Sequence, residues 1–303
     1  MYTMPTIAIE NLTKRFGKQE SPALDCISLT FEENRIYGLL GRNGAGKSTL
    51  LNIISNRLFP NSGKVLLDGR PTMEQDALLS QIYCMSEKDL CPESMRIREL
   101  FQYTSDFFPG FDIEYANGLA KKFQLDTNKR LKSLSTGYST ICKIVTAMAS
   151  FAPVTLLDEP ILGLDANHRE LFYKELIASY LESPRTIILS THLIEEVADL
   201  IEEVVILHNG RILLNESREQ ALMRGYSLSG TARAVDSYLS ALPSGETLLG
   251  CDSLGGLKTA CILTQQPGSI PDNLPDGLEA GRLDLQQLFI RLTNQADGGQ
   301  LRS

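Results

Sequence analysis

"GLLGRNGAGKSTLLNII", from Gly38 to Ile54, is the stretch whose reading decides the fold. Gly41, Gly44 and Gly46 accept backbone angles that a Cβ would forbid, so successive N–H groups can curl around an anion. Lys47 to Ile54 reads as a helix whose positive end faces the same anion. The pattern G-x-x-x-x-G-K-[ST] is met from Gly41 to Ser48, between the strand-like "RIYGLL" and an amphipathic helix. In that setting Lys47 is expected to reach the β- and γ-phosphates of a nucleotide, and Ser48 to ligate Mg²⁺. The bland alternative is a chance match in a glycine-rich turn, which the strand-to-helix context disfavours.

The 303 residues, 43% hydrophobic and 22% charged, are ordinary globular material, enough for one large domain and a small one. A net charge of −8 argues against a sequence-independent grip on nucleic acid. The six cysteines form no C-x-x-C pair and read as buried or free thiols of a reducing compartment. "MYTMPTIAIENLTKRF" lacks a basic start followed by an apolar run. The longest uncharged stretch, Ile144 to Leu157, contains Pro153 and falls short of the ~20 residues a membrane helix needs. The expectation is a cytoplasmic chain with no membrane span of its own.

"TIAIENLTKRFG" and "ALDCISLTFEENRIYGLLG" alternate as strands do, and "GKVLLDGR" is a short strand between turn residues. Arg96 to about Leu125 reads as mostly helical, broken at "FFPGFD", and helical spacing resumes from Thr140 to Ser150. Then come the strand "VTLLD", a helix from Ala166 to about Leu181, the strand "TIILS" and the helix "LIEEVADLI". The hairpin "EVVILHNGRILL" turns at Asn209–Gly210. This alternation predicts a largely parallel sheet with helices on both faces. No internal repeat is visible, so one nucleotide site per chain is expected. From about Ser227 the composition shifts to glycine, proline and serine, the start of a second, small domain. Its closing helix carries Leu285, Leu288, Phe289 and Leu292 on one face. That stripe reads as packing on the small domain's own core, with an oligomer contact as the alternative.

"VTLLDEP" ends a buried strand at Asp158 and Glu159, and a carboxylate beside a polyphosphate can act as general base where water is otherwise excluded. "STH" puts His192 at the carboxyl end of another strand, the edge where open α/β sheets bind ligands. His168 and His208 lack that setting and read as surface residues. "LSTGYS", Leu134 to Ser139, offers small residues with free N–H groups at a helix start, a second anion-binding point. One chain has no phosphate to match it, whereas two chains facing head to tail do.

With these motifs in hand, the chain resembles the ATP-binding subunit of an ABC transporter. "GRNGAGKST", "LSTGY", "LLDEP", "GLD" (Gly163 to Asp165) and the histidine His192 follow one another in that family's order, over roughly residues 5 to 220. The resemblance implies an α/β P-loop NTPase of ABC type, with an antiparallel β subdomain and a helical subdomain over about 88–150. Residues 1–225 would form the ATP-binding domain and 226–303 a small α+β accessory domain. It implies ATP and Mg²⁺ as cofactors. Gly41, Asn43, Gly44, Gly46, Lys47, Ser48 and Thr49 would hold the phosphates, with Asp158 in the outer shell of the metal. Glu159 and His192 would act on the attacking water. Ser135, Gly137 and Asp165 would face nucleotide across a head-to-tail homodimer. Phe16 of "KRFG" would stack on adenine, or else is a strand aromatic of the core.

Two departures stand out. A glutamine expected ahead of Pro92 is replaced in "YCMSEKDLCP" by Ser86, with Glu87 next to it, so either would reach the metal only through water. The signature has Thr136 and Tyr138 where glycine and glutamine are usual, while Ser135 and Gly137 are kept. Because the cassette lacks a span, the resemblance implies separately encoded transmembrane permease subunits and a peripheral place on the inner face of the cell membrane. Those partners would dock on the surface from Ser86 to Phe101, with Leu90, Met95 and Ile97, or else that apolar set is helix core. Export by ATP hydrolysis is the expected function. The alternative is a nucleotide-dependent signalling module with little turnover.

Overall fold

The computed structural model describes residues 4–17, 21–86, 91–265, 268 and 274–298. Strands β1 (Ile7–Lys14) and β2 (Leu24–Phe31) pair antiparallel, and β3 (Ile36–Leu40) leads into helix α1 (Lys47–Ile54). With β4 (Ser62–Leu67) and the short β5 (Arg70–Pro71), the first two strands make an antiparallel sheet ordered β2-β1-β4-β5. A one-turn helix, α2 (Asp76–Leu79), precedes β6 (Ile82–Met85), a strand the sequence reading did not assign. Helices α3 (Ile97–Phe107), α4 (Ile113–Lys122) and α5 (Thr136–Ala149) are inserted before β7 (Val154–Asp158). Helix α5 begins four residues earlier than its apolar spacing suggests, because Ser135 caps it by accepting from the Tyr138 N–H.

Helix α6 (Ala166–Glu182), β8 (Thr186–Thr191), α7 (Ile194–Val197), β9 (Glu203–His208) and β10 (Arg211–Ser217) follow. The helix expected over "LIEEVADLI" shrinks to α7. Arg218 Nη1 takes the Ala198 carbonyl at 2.7 Å, and the Leu200 N–H turns back to Val197, so the ladder stops there. Strands β9 and β10 form the expected hairpin, with Asn209 and Gly210 both at positive φ. The central sheet runs β10-β9-β3-β8-β7-β6, with every pair parallel except β10 on β9.

Alternate residues of its strands feed two cores, as the two-residue period requires. Tyr37, Leu39, Leu156, Val205 and Leu207 pack with α1 and the first sheet, whereas Leu40, Leu157, Leu189 and Ile206 pack with α5 and α6. Among the described residues no helix is long and apolar enough to cross a membrane.

After α8 (Arg218–Arg224), a third sheet is built from β11 (Gly225–Thr231), β12 (Glu246–Leu254), β13 (Leu257–Thr264) and β14 (Leu278–Arg282), in the order β12-β13-β11-β14. Helix α9 (Ala232–Ser240) covers one face, burying Val235 against Tyr226, Leu228 and Ile262. The last helix, α10 (Leu285–Ala296), starts at a capping box in which Asp284 and Gln287 exchange hydrogen bonds. Its stripe does not pack on the core under α9. Leu285, Leu288 and Phe289 join the main core with Val197, Leu214 and Ala221, and Leu292 packs against it. Burying Leu288 and Phe289 there is worth roughly 1.5–3 kcal/mol each, which fixes α10 between the third sheet and the central one.

Candidate functional site

Parallel register brings the sequence motifs to one edge. Leu40 at the end of β3 pairs with Thr191 of β8, and Ser190 of β8 pairs with Asp158 at the end of β7. The loop after β3, the carboxylates after β7 and His192 after β8 therefore share the carboxyl side of the sheet, where such sheets bind ligands.

The loop from Gly41 to Gly46 has no room for side chains at its ends. A Cβ on Gly41 would meet the Leu207 carbonyl oxygen at 2.6 Å, and one on Gly46, at φ 109°, would meet the Ala23 carbonyl oxygen at 2.5 Å. Lys47 opens α1, where unpaired N–H groups and the helix dipole favour an anion. Its buried Nζ donates to the Gly41 carbonyl at 2.7 Å and the Arg42 carbonyl at 3.3 Å, folding the side chain back over the loop. Asn43 and Gly44 are exposed at the apex, Ser48 is exposed, and Thr49 is half-buried.

Glu159 stands between Lys47 and His192. Its Oε1 lies 3.2 Å from Lys47 Nζ and its Oε2 lies 3.0 Å from His192 Nδ1. The backbone of Glu159 is at φ 47°, a left-handed conformation that costs free energy in a residue with a Cβ. Ser190 holds it there, its carbonyl oxygen and Oγ accepting from the Glu159 N–H at 3.1 and 3.2 Å. Ser190 Oγ also donates to Asp158 Oδ1 at 2.6 Å, and the same oxygen accepts from Ser48 Oγ at 3.1 Å. Ser190 was not among the expected site residues. The signal available was a hydroxyl two residues before His192 at a strand end, in "STH". Lys47, Glu159 and His192 thus form one chain of contacts, with Ser48, Asp158 and Ser190 forming a second beside it.

The signature residues lie elsewhere. Ser135 is exposed, and a Cβ on Gly137 would touch the Gly163 carbonyl oxygen at 3.0 Å, so the start of α5 rests on the turn before α6. Asp165 caps α6 by accepting from the His168 N–H at 2.9 Å, and its second oxygen meets His168 Nδ1 at 2.9 Å. These bonds, the backbone one foremost, hold the Asp165 carboxyl below the usual range. His168 is half-buried, edge-on to Tyr138, and not the surface residue expected of it. Among the described residues, no hydrogen bond or ion pair joins Ser135, Gly137 or Asp165 to Lys47 within one chain. Phe16 is 40% exposed, with Lys14 Nζ 5.3 Å from its ring centre, so it is not a core aromatic. Ser86 accepts from Arg57 Nη1 at 2.8 Å, and Arg57 Nη2 also donates to the Cys84 carbonyl. Glu87 and Leu90 lie outside the described residues.

His208 departs further from expectation. It is 6% exposed, and its Nε2 lies 2.7 Å from Asp297 Oδ1 beyond the end of α10. The expected docking residues Ile97 and Phe101 are buried in the helical insertion instead. Beside them, between that insertion and the central sheet, opens a groove of about 730 Å³ bordered by Arg57, Tyr83, Ser86, Tyr103 and Phe107.

The profile of the family described as "ABC transporter" matches residues 24–162. The ABC transporter ATP-binding protein NatA of Bacillus subtilis is 30% identical over 70% of this chain and 90% of its own length. The chain belongs to the ABC transporter ATP-binding family. The cassette carries that family's activity, binding ATP and hydrolysing it. The human retinal-specific phospholipid-transporting ATPase ABCA4 is 32% identical over 94% of this chain, which corresponds to 12% of ABCA4. Among solved structures, the dimeric post-hydrolysis state of the ATP-binding cassette MJ0796 bound to ADP and Pi superposes with a TM-score of 0.62. It covers 70% of this chain and 98% of that one at 24% identity, a likeness of fold.

Proposed function

We propose that this chain is the motor subunit of a transporter whose permease is a separate membrane protein, and that it works as a head-to-tail homodimer. The observation that carries this is the contact chain Lys47–Glu159–His192 at the edge where the phosphate loop ends. Lys47 and the loop N–H groups would hold the phosphates. Ser48 and Asp158 present adjacent hard oxygens, a donor set that suits Mg²⁺ completing its shell with phosphates and water. The ion would neutralise charge developing on the phosphates. Glu159 is the group we assign as general base, steered by His192 and by the Ser190 clamp on its backbone. Ser135 and Gly137, set apart from Lys47 in one chain, are assigned to the nucleotide of the second copy. Residues 1–225 constitute the motor and 226–303 an accessory domain, as the third sheet starting at Gly225 supports.

The groove beside Ser86 is where we place the permease, on the inner face of the membrane. It offers exposed rings, Tyr103 at 47% and Phe107 at 57%, tilted against each other with centres 4.9 Å apart, next to the Arg57–Ser86 bond. Export is the direction we assign. A second reading, a signalling module with little turnover, is favoured by Ser86 standing bound to Arg57 where a longer side chain would reach the metal. The docking assignment has a direct check. Phe107→Glu should leave the ATPase of the isolated cassette within about twofold and strip the protein from membranes of its host. A charge costs several-fold in an apolar contact, whereas at this exposed carboxyl end of α3 the helix dipole makes a carboxylate cost only ~0.3–1 kcal/mol of stability. Equal membrane recovery of variant and parent overturns the placement.

A further inference from the structure

The phosphate loop is tied from outside by the last helix of the chain. Arg42, second residue of the loop, sends its carbonyl toward Lys47 Nζ and its guanidinium the other way, to α10. There Nη2 donates to Asn294 Oδ1 at 2.6 Å, and Nη1 lies 3.3 Å from Asp297 Oδ2. The other oxygen of Asp297 meets the buried His208 Nε2 at 2.7 Å and Asn209 Nδ2 at 3.2 Å. Asp297 caps the carboxyl end of α10, where the helix dipole disfavours a carboxylate, so its place there depends on these donors. From the opposite flank of α10, Arg291 pairs with Asp252 of β12 and Gln295 Nε2 donates to the Leu248 carbonyl at 3.4 Å. With its apolar stripe sunk in the main core, the helix is a strut between the third sheet and the phosphate loop.

We propose that Asp297, with Asn294, is a positioning residue for ATP binding, acting through Arg42 to hold the loop in its anion-receiving shape. It touches no nucleotide. The loop carries two positive-φ glycines, Gly44 and Gly46, and the backbone freedom they give must be restrained by contacts such as this before a phosphate can be met by aligned N–H groups. The accessory domain thereby sets how well the motor binds ATP. This inference rests on the loop Gly41–Ser48 being the ATP site.

The test measures ATP affinity of the full chain by titration with ATP–Mg²⁺, for the parent, Asp297→Ala, Arg42→Ala, the double variant and Lys47→Ala. Asp297→Ala should weaken ATP by roughly three- to tenfold, the scale of losing one half-exposed ion pair together with its neutral partner bonds. The change should fall on KM and not on kcat. Because Asp297 acts through Arg42, the double variant should be no weaker than Arg42→Ala alone. Asp297→Asn, which keeps the shape, should recover part of the loss. Unshifted affinity in Asp297→Ala, or effects that multiply in the double variant, overturns the positioning role. If Lys47→Ala binds ATP as the parent does, the site reading itself fails, and this inference with it.

Discussion

Glu159→Gln should keep ATP bound and lower phosphate release by about 10²–10⁴-fold, the span that removal of a general base covers. The substitution is nearly isosteric. Glutamine can still accept from Lys47 Nζ and contact His192, so the geometry at 3.2 and 3.0 Å survives while the proton acceptor is gone. The strained φ of 47° at this position is held by Ser190 through the backbone and does not depend on the side chain. Phosphate release at saturating ATP–Mg²⁺, with bound nucleotide identified after rapid desalting, reads both halves of the expectation. Parent-like release by the variant would move the base to another residue. Equal inactivity of parent and variant with the membrane partner present would favour the signalling reading.

The second large effect concerns binding. Lys47→Ala should weaken ATP by at least about 100-fold, or ~3 kcal/mol, because the lost group is a charge that meets phosphate in a water-poor loop. Lys47 is only 5% exposed, and its Nζ also bonds the carbonyls of Gly41 and Arg42. Its removal therefore frees the loop as well as deleting the charge. It also leaves Glu159 with His192 as its remaining side-chain partner, a cost to the variant's stability of about 1–3 kcal/mol for the half-emptied pair. Calorimetric titration separates the two effects from each other. An affinity within tenfold of the parent's would show that the loop N–H groups alone hold the phosphates.

The parts of the site that were legible in the sequence are those whose chemistry is local. Gly41 to Ser48 declares itself through backbone demands that only glycine meets and through a lysine at a helix start. Asp158, Glu159 and His192 declare themselves through polar residues ending apolar strands. Parallel register then brings these ends together, as the alternation of strands and helices requires. Ser190 escaped notice because its work is done through a hydroxyl and a carbonyl, and serine at a strand end is common. His208 looked like a turn residue because its partner, Asp297, lies 89 residues away. The stripe on α10 announces burial but carries no record of what it is buried against: its core joins Leu249 and Cys261 of the third sheet to Leu214 and Ala221 of the main body. Strand β6 was obscured by its brevity and by the polar run that follows it. Helix α7 is shorter than its apolar spacing implies, since an arginine 20 residues beyond Ala198 captures the carbonyl that would continue it.

Sedimentation of Glu159→Gln with ATP–Mg²⁺, in the presence and absence of Ser135→Arg, tests the central claim most directly. If the serine–glycine tip of one copy closes on nucleotide held by the lysine loop of the other, Glu159→Gln runs as a dimer, and adding Ser135→Arg returns it to a monomer that still binds ATP. A doubly substituted protein that pairs as fully as Glu159→Gln alone would contradict the head-to-tail site.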